Sequence, residues 1–332
     1  VYLSVNRKIV FVWLILCLGD LPRVINAVMS VFSVKLYNLN EFGIESWSNM
    51  ENLFWVPNQV IPSLILGGMF MHTLLRRTDI SAMVLPIALS FWWAAFPAFV
   101  CGLLVAILVI REWILVRFNI SWSMAVRKVL LPFAVCVPVL ILFLSHEKIP
   151  VSGFLWDFES NLADTVKEYL TNIIVNVAMF LGLYMLVKRK NEAADLSVLF
   201  YTIILLSLTV PLYRMGEVND FLIRGMMPVL VIIGIYLLEP FSRLETKQMF
   251  SYAKSSVAFM VIFFLLGCST LSGTGRLWRA ARVNRIADPT FTPISYDAYP
   301  NVYEALKGKW SQEGADQYMG DRRSFYENYI AP

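Results

Sequence analysis

Charge is what this sequence has least of. Only 16% of its 332 residues are charged and two are histidine, whereas a soluble domain carries about 25% charge. Cysteine is sparse too. Cys17, Cys101, Cys136 and Cys268 each lie inside an apolar run, too dispersed for a metal site or a secreted disulfide framework, so they read as packing residues. His72 and His146 stand alone without a ligand-spaced partner, which argues against a structural metal site. There is no Walker loop, no glycine-rich nucleotide fingerprint and no serine-nucleophile elbow. Internal repeats and low-complexity tracts are missing as well. No Lys/Arg-headed signal peptide precedes the first apolar run, and the first residue is Val1, so a C-terminal fragment lacking upstream helices is one expectation.

What the chain does have is apolar residues, 58% of the total, with a mean hydropathy of +0.62. They come in blocks, several of them near the roughly 17–25 residues that cross a ~30 Å hydrocarbon core. The expected fold is all-α, a polytopic transmembrane bundle of about nine helices, at 9–18, 53–75, 81–96, 98–110, 129–145, 169–187, 196–213, 221–238 and 256–271. Pro97 divides the long run 81–110. Proline removes a backbone donor and disfavours helix just before it, which favours two short helices over one kinked helix.

The loop charges alternate. With the N-terminus inside, inside segments hold fourteen cations such as Arg76, Arg77, Arg127, Lys128, Lys188 and Arg243, while outside loops hold Arg23, Lys35, Lys148, Lys167 and Arg214 beside most of the loop carboxylates. That is the positive-inside pattern. One feature dissents: Arg276, Arg279, Arg282 and Arg285 follow the last expected helix on the outside. The chain divides into a membrane domain, 1–271, and a polar, aromatic-rich extramembrane tail, 272–332, placed outside. An integral membrane protein is the expected setting.

Two polar clusters could carry chemistry. Arg214, Glu217, Asn219, Asp220 and Arg224 open a late helix. Asn219 or Asp220 fits an N-cap, and Arg224 lies one turn inward of Asp220 on the same face. Either the two form an internal pair that locks the helix end, or Arg214 and Arg224 grip a phosphate through their forks of donors. In the second cluster Trp55, Asn58 and Gln59 begin another helix, as an interfacial contact or as a rim that holds a sugar. The outer carboxylates Asp20, Glu41, Glu45, Glu51, Asp157 and Glu159 include the acid–base candidates, and Asp20 and Glu45 lead. Asp20 directly follows a membrane helix, in Leu18-Gly19-Asp20-Leu21-Pro22-Arg23. The arginines 276–285 recur every three residues, a stripe that meets lipid phosphates or the head group of a lipid-linked substrate.

With Trp55-Val56-Pro57-Asn58-Gln59 opening one helix, Glu217-Val218-Asn219-Asp220-Phe221-Leu222-Ile223-Arg224 opening a late one, and an aromatic tail ending Ser324-Phe325-Tyr326-Glu327-Asn328-Tyr329, the chain resembles the GT-C superfamily of bacterial lipid-sugar-dependent glycosyltransferases. The resemblance is patchy along the chain. It implies a polyprenyl-phosphate or -pyrophosphate sugar donor, a glycan or lipid acceptor, the bilayer as partner, and a catalytic acid in the first external loop, a position that only Asp20 can match. Nothing points to nucleic acid. No cofactor is identified, and a divalent metal stays open. The alternatives are a transporter or flippase of a lipid-linked glycan or small anion, and a non-catalytic membrane subunit.

Overall fold

The computed structural model describes residues 1–32, 48–115, 121–144, 152–158, 162–187, 194–216, 219–286 and 300–309, and the isolated positions 312, 315, 328 and 329. Its helices are α1 (Ile9–Leu16), α2 (Leu21–Val31), α3 (Asn49–Trp55), α4 (Pro57–Leu75), α5 (Val84–Ser90), α6 (Ala95–Leu115), α7 (Trp122–Ala125), α8 (Leu131–Ala134) and α9 (Val137–Leu144). After a short strand β1 (Ser152–Phe154) come α10 (Leu155–Phe158), α11 (Leu162–Tyr169), α12 (Val175–Val187) and α13 (Ala194–Thr209). Strand β2 (Tyr213–Met215) leads into α14 (Asp220–Ser242), followed by α15 (Thr246–Ser255), α16 (Val257–Ile286) and α17 (Val302–Lys309). β1 and β2 pair antiparallel, with Gly153 opposite Arg214.

Helix α14 is the axis of the bundle. It is apolar on every face, the signature of a helix surrounded by protein, and 83% of its most apolar window is buried. Around it pack α4, α6, α1, α12 and α13. In lipid the drive for such packing is close contact between helices rather than the exclusion of water. α16 is a flank helix by the same measure, with 22% of its window buried.

Among the described residues three helices are long and apolar enough to cross a membrane: Ala95–Leu115, Asp220–Ser242 and Val257–Arg282. The number rises to five if each bent pair, Ile9–Leu16 with Leu21–Val31 and Trp122–Ala134 with Val137–Leu144, is one span. This corrects the nine spans expected from hydropathy. Of the other apolar runs, one is the 19-residue α4 and three are shorter helices, Ile80–Ser90, Val175–Val187 and Leu196–Leu212. Backbone chemistry explains the breaks. Pro57 forces Val56 out of the helical region, to φ −139°, and so separates α3 from α4. Pro132 offers no N–H to the carbonyl of Lys128, and the preceding turn, Val126–Leu130, widens to a π-helix, as happens where the regular ladder is interrupted.

The run 81–110 is two helices, α5 and α6, as its proline suggested; Pro97 lies in the first turn of α6, and the turn itself is at 91–94. At the other end of the chain, α16 runs unbroken across residue 271 and carries the arginine stripe as helix through Ile286.

Candidate functional site

The site starts from a broken helix. α1 ends at Leu16, Gly19 takes φ +97°, and α2 sets off at 69° to α1. Glycine accepts that backbone at no steric cost. Pro22, in the first turn of α2, is the one place where a proline costs a helix nothing. Asp20 occupies the N-cap position of α2 and is completely buried.

The break lies deep in the bundle. Asn6 Nδ2 donates to Ser242 Oγ at 2.8 Å, and Ile15 and Leu18 meet Gly234, so α1 runs antiparallel to α14 and ends beside its middle. On α16, Phe263 stacks edge-on to Phe241 at 5.1 Å. Further along, Ser269 Oγ donates to the Cys17 carbonyl at 2.6 Å. Asp20 faces Gly273, about 15 Å beyond Phe263 at 1.5 Å per residue, whereas Asp220 is about 31 Å along α14 from Phe241. Asp20 therefore lies roughly level with the middle of α14, between Phe241 and Asp220.

Four charged groups meet there. Arg276 Nη1 is 2.5 Å from Glu51 Oε2, and its Nη2 is 3.4 Å from Asp20 Oδ1. Arg23 Nη2 is 2.5 Å from Glu51 Oε1. Glu51 thus bridges two guanidiniums, and Asp20 holds the outer edge of one. The side chains are 0–23% exposed. Charges so deeply placed persist only in mutual compensation, and two carboxylates with two guanidiniums balance.

Helix α3 sets Glu51 in place. Ser48 caps it, its Oγ accepting from the backbone N–H of Met50 and of Glu51, an N-cap of the preferred kind. Asn49 Nδ2 donates to the Met227 carbonyl of α14 at 3.0 Å. Asn49 Oδ1 and Asn52 Nδ2 are buried with no hydrogen-bond partner among the described residues. α16 can come close because residue 273 is glycine: a β-carbon there would stand 2.6 Å from Cys17 Sγ and 3.2 Å from Asp20 Oδ2. Trp13 Nε1 adds a hydrogen bond to Thr274 Oγ1 at 2.9 Å.

The other predicted residues lie elsewhere. Arg214, Asn219, Asp220 and Arg224 do come together, at the start of α14. Arg224 Nε is 2.9 Å from Asp220 Oδ1 one turn away, the internal pair that was one of the two alternatives. Asn219 is the N-cap residue, in the left-handed conformation at φ +53°, and its Oδ1 accepts from the Met215 N–H at 3.4 Å. Arg214 lies over the Phe158 ring at 5.3 Å and its Nε donates to the Gly216 carbonyl. Asn58 is exposed, and Gln59 Oε1 is buried without a partner among the described residues. The backbone of Trp55 ends α3, while its side chain, with Glu45 and Glu217, lies outside the described residues. Among the described residues no group of three or more His, Cys, Asp or Glu side chains could hold a metal ion.

The sequence had singled out Asp20 and the 276–285 stripe separately. It missed that they meet, and that Glu51 and Arg23 join them. The one signal was an arginine directly after an apolar run, too near the membrane to be left without an acid.

The chain matches no protein-family model, no curated protein and no solved structure at a significant level.

Proposed function

We propose that the chain is a membrane glycosyltransferase that uses a polyprenyl-linked sugar donor for cell-envelope glycan synthesis, at the outer face of a bacterial inner membrane. The observation that supports this most is the buried Asp20 sharing Arg276 with Glu51. A donor phosphate takes over Arg276 and Arg23, whose guanidinium forks suit phosphate, and leaves Asp20 to the acceptor. The acceptor hydroxyl then gives its proton to Asp20 while its oxygen bonds to the anomeric carbon. The bond from that carbon to the phosphate oxygen breaks, and the phosphate leaves with the electron pair, its charge met by Arg276 and Arg23. Arg214 and Arg224, at the start of α14, remain the alternative grip for the phosphate.

A second reading is transport of the same lipid-linked anion without chemistry. The 69° break at a charged cluster favours it, since transporters bind substrate at discontinuous helices near the midplane. Asp20→Asn separates the two: a transferase loses turnover and keeps donor binding, while a transporter keeps moving its substrate.

A further inference from the structure

A second site lies on the far side of α6 from the ion network. α5, α6 and the α7–α9 segment enclose an apolar groove of about 470 Å³, lined by Phe91, Phe99, Leu103, Ile110, Phe133 and Leu140 among others. That volume is in the ligand-sized range of roughly 300–1,000 Å³. Several lining side chains remain half exposed, Phe99 at 52% and Ile110 at 51%, so the groove opens on the surface that faces lipid. At one end Trp92 Nε1 donates to the Val135 carbonyl at 3.0 Å and ties α5 to the α8–α9 turn. At the other it runs into a polar chamber of about 220 Å³ holding Asp79, Ser81, Glu112, Ser121 and Lys128. Val109, Trp113 and Val129 line both spaces, so groove and chamber are contiguous.

The chamber is built rather than incidental. Asp79 accepts from Ser81 N–H at 2.9 Å and from Ser81 Oγ at 2.6 Å, and pairs with Lys128. The π-helical turn ahead of Pro132 carries Lys128 and Val129 to the chamber wall. Asp79 and Glu112 face Lys128, and Arg111 acts on Glu112 as well, so two carboxylates stand with two cations. An anionic head group alone would upset that balance, whereas one with both a phosphate and an N–H-bearing cation keeps it, the phosphate on Lys128 and the ammonium on Glu112 and Asp79.

We infer that this groove and chamber form a binding site for an aminophospholipid, one hydrocarbon chain lying along α6 and the phosphoethanolamine head group seated between Lys128 and Glu112. The site is separate from the ion network and does not depend on the transfer chemistry proposed there.

Native mass spectrometry of the delipidated full chain tests this, with phosphatidylethanolamine, phosphatidylcholine and phosphatidylglycerol of identical chains added at equal concentration. Phosphatidylethanolamine is expected to be retained in preference to both, and Glu112→Gln to reduce that preference roughly two- to fivefold, the scale of a part-exposed ion pair. Gly102→Leu grows a side chain into the groove from a position whose β-carbon meets only Ile87 Cγ2, at 3.6 Å. It is expected to weaken retention of all three lipids. Equal retention of the three by the unmodified protein, or preference for phosphatidylglycerol, overturns the proposal. So does an aminophospholipid preference that Glu112→Gln leaves unchanged. The selectivity of the unmodified protein decides the matter even if a variant does not fold.

Discussion

Arg276, on a helix that begins at Val257, reaches across to Asp20 at the break between α1 and α2, 3.4 Å from its Oδ1. The two residues are 256 positions apart, and each is costly in the membrane without the other. A long contact to Asp20 beside a 2.5 Å contact to Glu51 leaves Arg276 anchored at one side and exchangeable at the other.

Removing one member of the network leaves a buried charge uncompensated. Arg276→Gln is expected to destabilise the protein by about 3–5 kcal/mol, and Arg276→Lys by less. Adding Asp20→Asn to Arg276→Gln should recover part of the loss, because the two changes share one interaction. Thermal unfolding in detergent across the double-mutant cycle measures the coupling; strict additivity would mean that the contact carries no energy.

The approach of α16 to the broken helix depends on the absence of a side chain at residue 273. Gly273→Ala puts a methyl group 2.6 Å from Cys17 Sγ, and one of the two helices must move. Overpacking of this kind costs about 1–3 kcal/mol. Unfolding midpoints of Gly273→Ala and of Gly275→Ala, whose β-carbon has nothing within 4 Å, provide the comparison. Equal midpoints would contradict the tight crossing.

At the polar chamber, partial burial pushes the Asp79 carboxyl up, but hydrogen bonds from Lys128 and Ser81 outweigh it and hold the group below the ordinary carboxylate value. A carboxylate whose folded-state value is depressed stabilises the protein above its unfolded value, and the contribution disappears as pH falls through the folded one. Asp79→Asn should therefore lower stability slightly at pH 7, by well under 1 kcal/mol for a pair this exposed, and make no difference at about pH 2–3. A deficit that persists unchanged at low pH would count against the pairing.

How far the sequence went depends on the kind of signal. Hydropathy identified the helical class and the apolar runs, and 81–110 is two helices as expected, with the turn at 91–94 and Pro97 inside the second helix. It overcounted spans because a hydropathy run is blind to backbone breaks: Val56, ahead of Pro57, separates α3 from α4, and the chain bends by 50° between Ala134 and Val137. Gly19 and Pro22 were visible beside Asp20, but the same residues serve an exit to water and a bend inside a bundle. Only the contact of α16 with the bend tells them apart. Glu51 and Arg23 were placed in outside loops with nothing to join them, because pairing between segments so far apart leaves no local pattern. The Asp220–Arg224 pair was legible because four-residue spacing on a helix is itself the geometry.

The most direct test is sugar transfer by the purified protein in nanodiscs, supplied with polyprenyl-phosphate- and polyprenyl-pyrophosphate-linked sugars and glycan acceptors, with donor binding measured in parallel. The account predicts turnover by the unmodified protein and loss of at least about 100-fold in Asp20→Asn, as for removal of a general base, with donor binding retained. Turnover unaffected by Asp20→Asn, or no transfer from any such donor by folded protein, would contradict it.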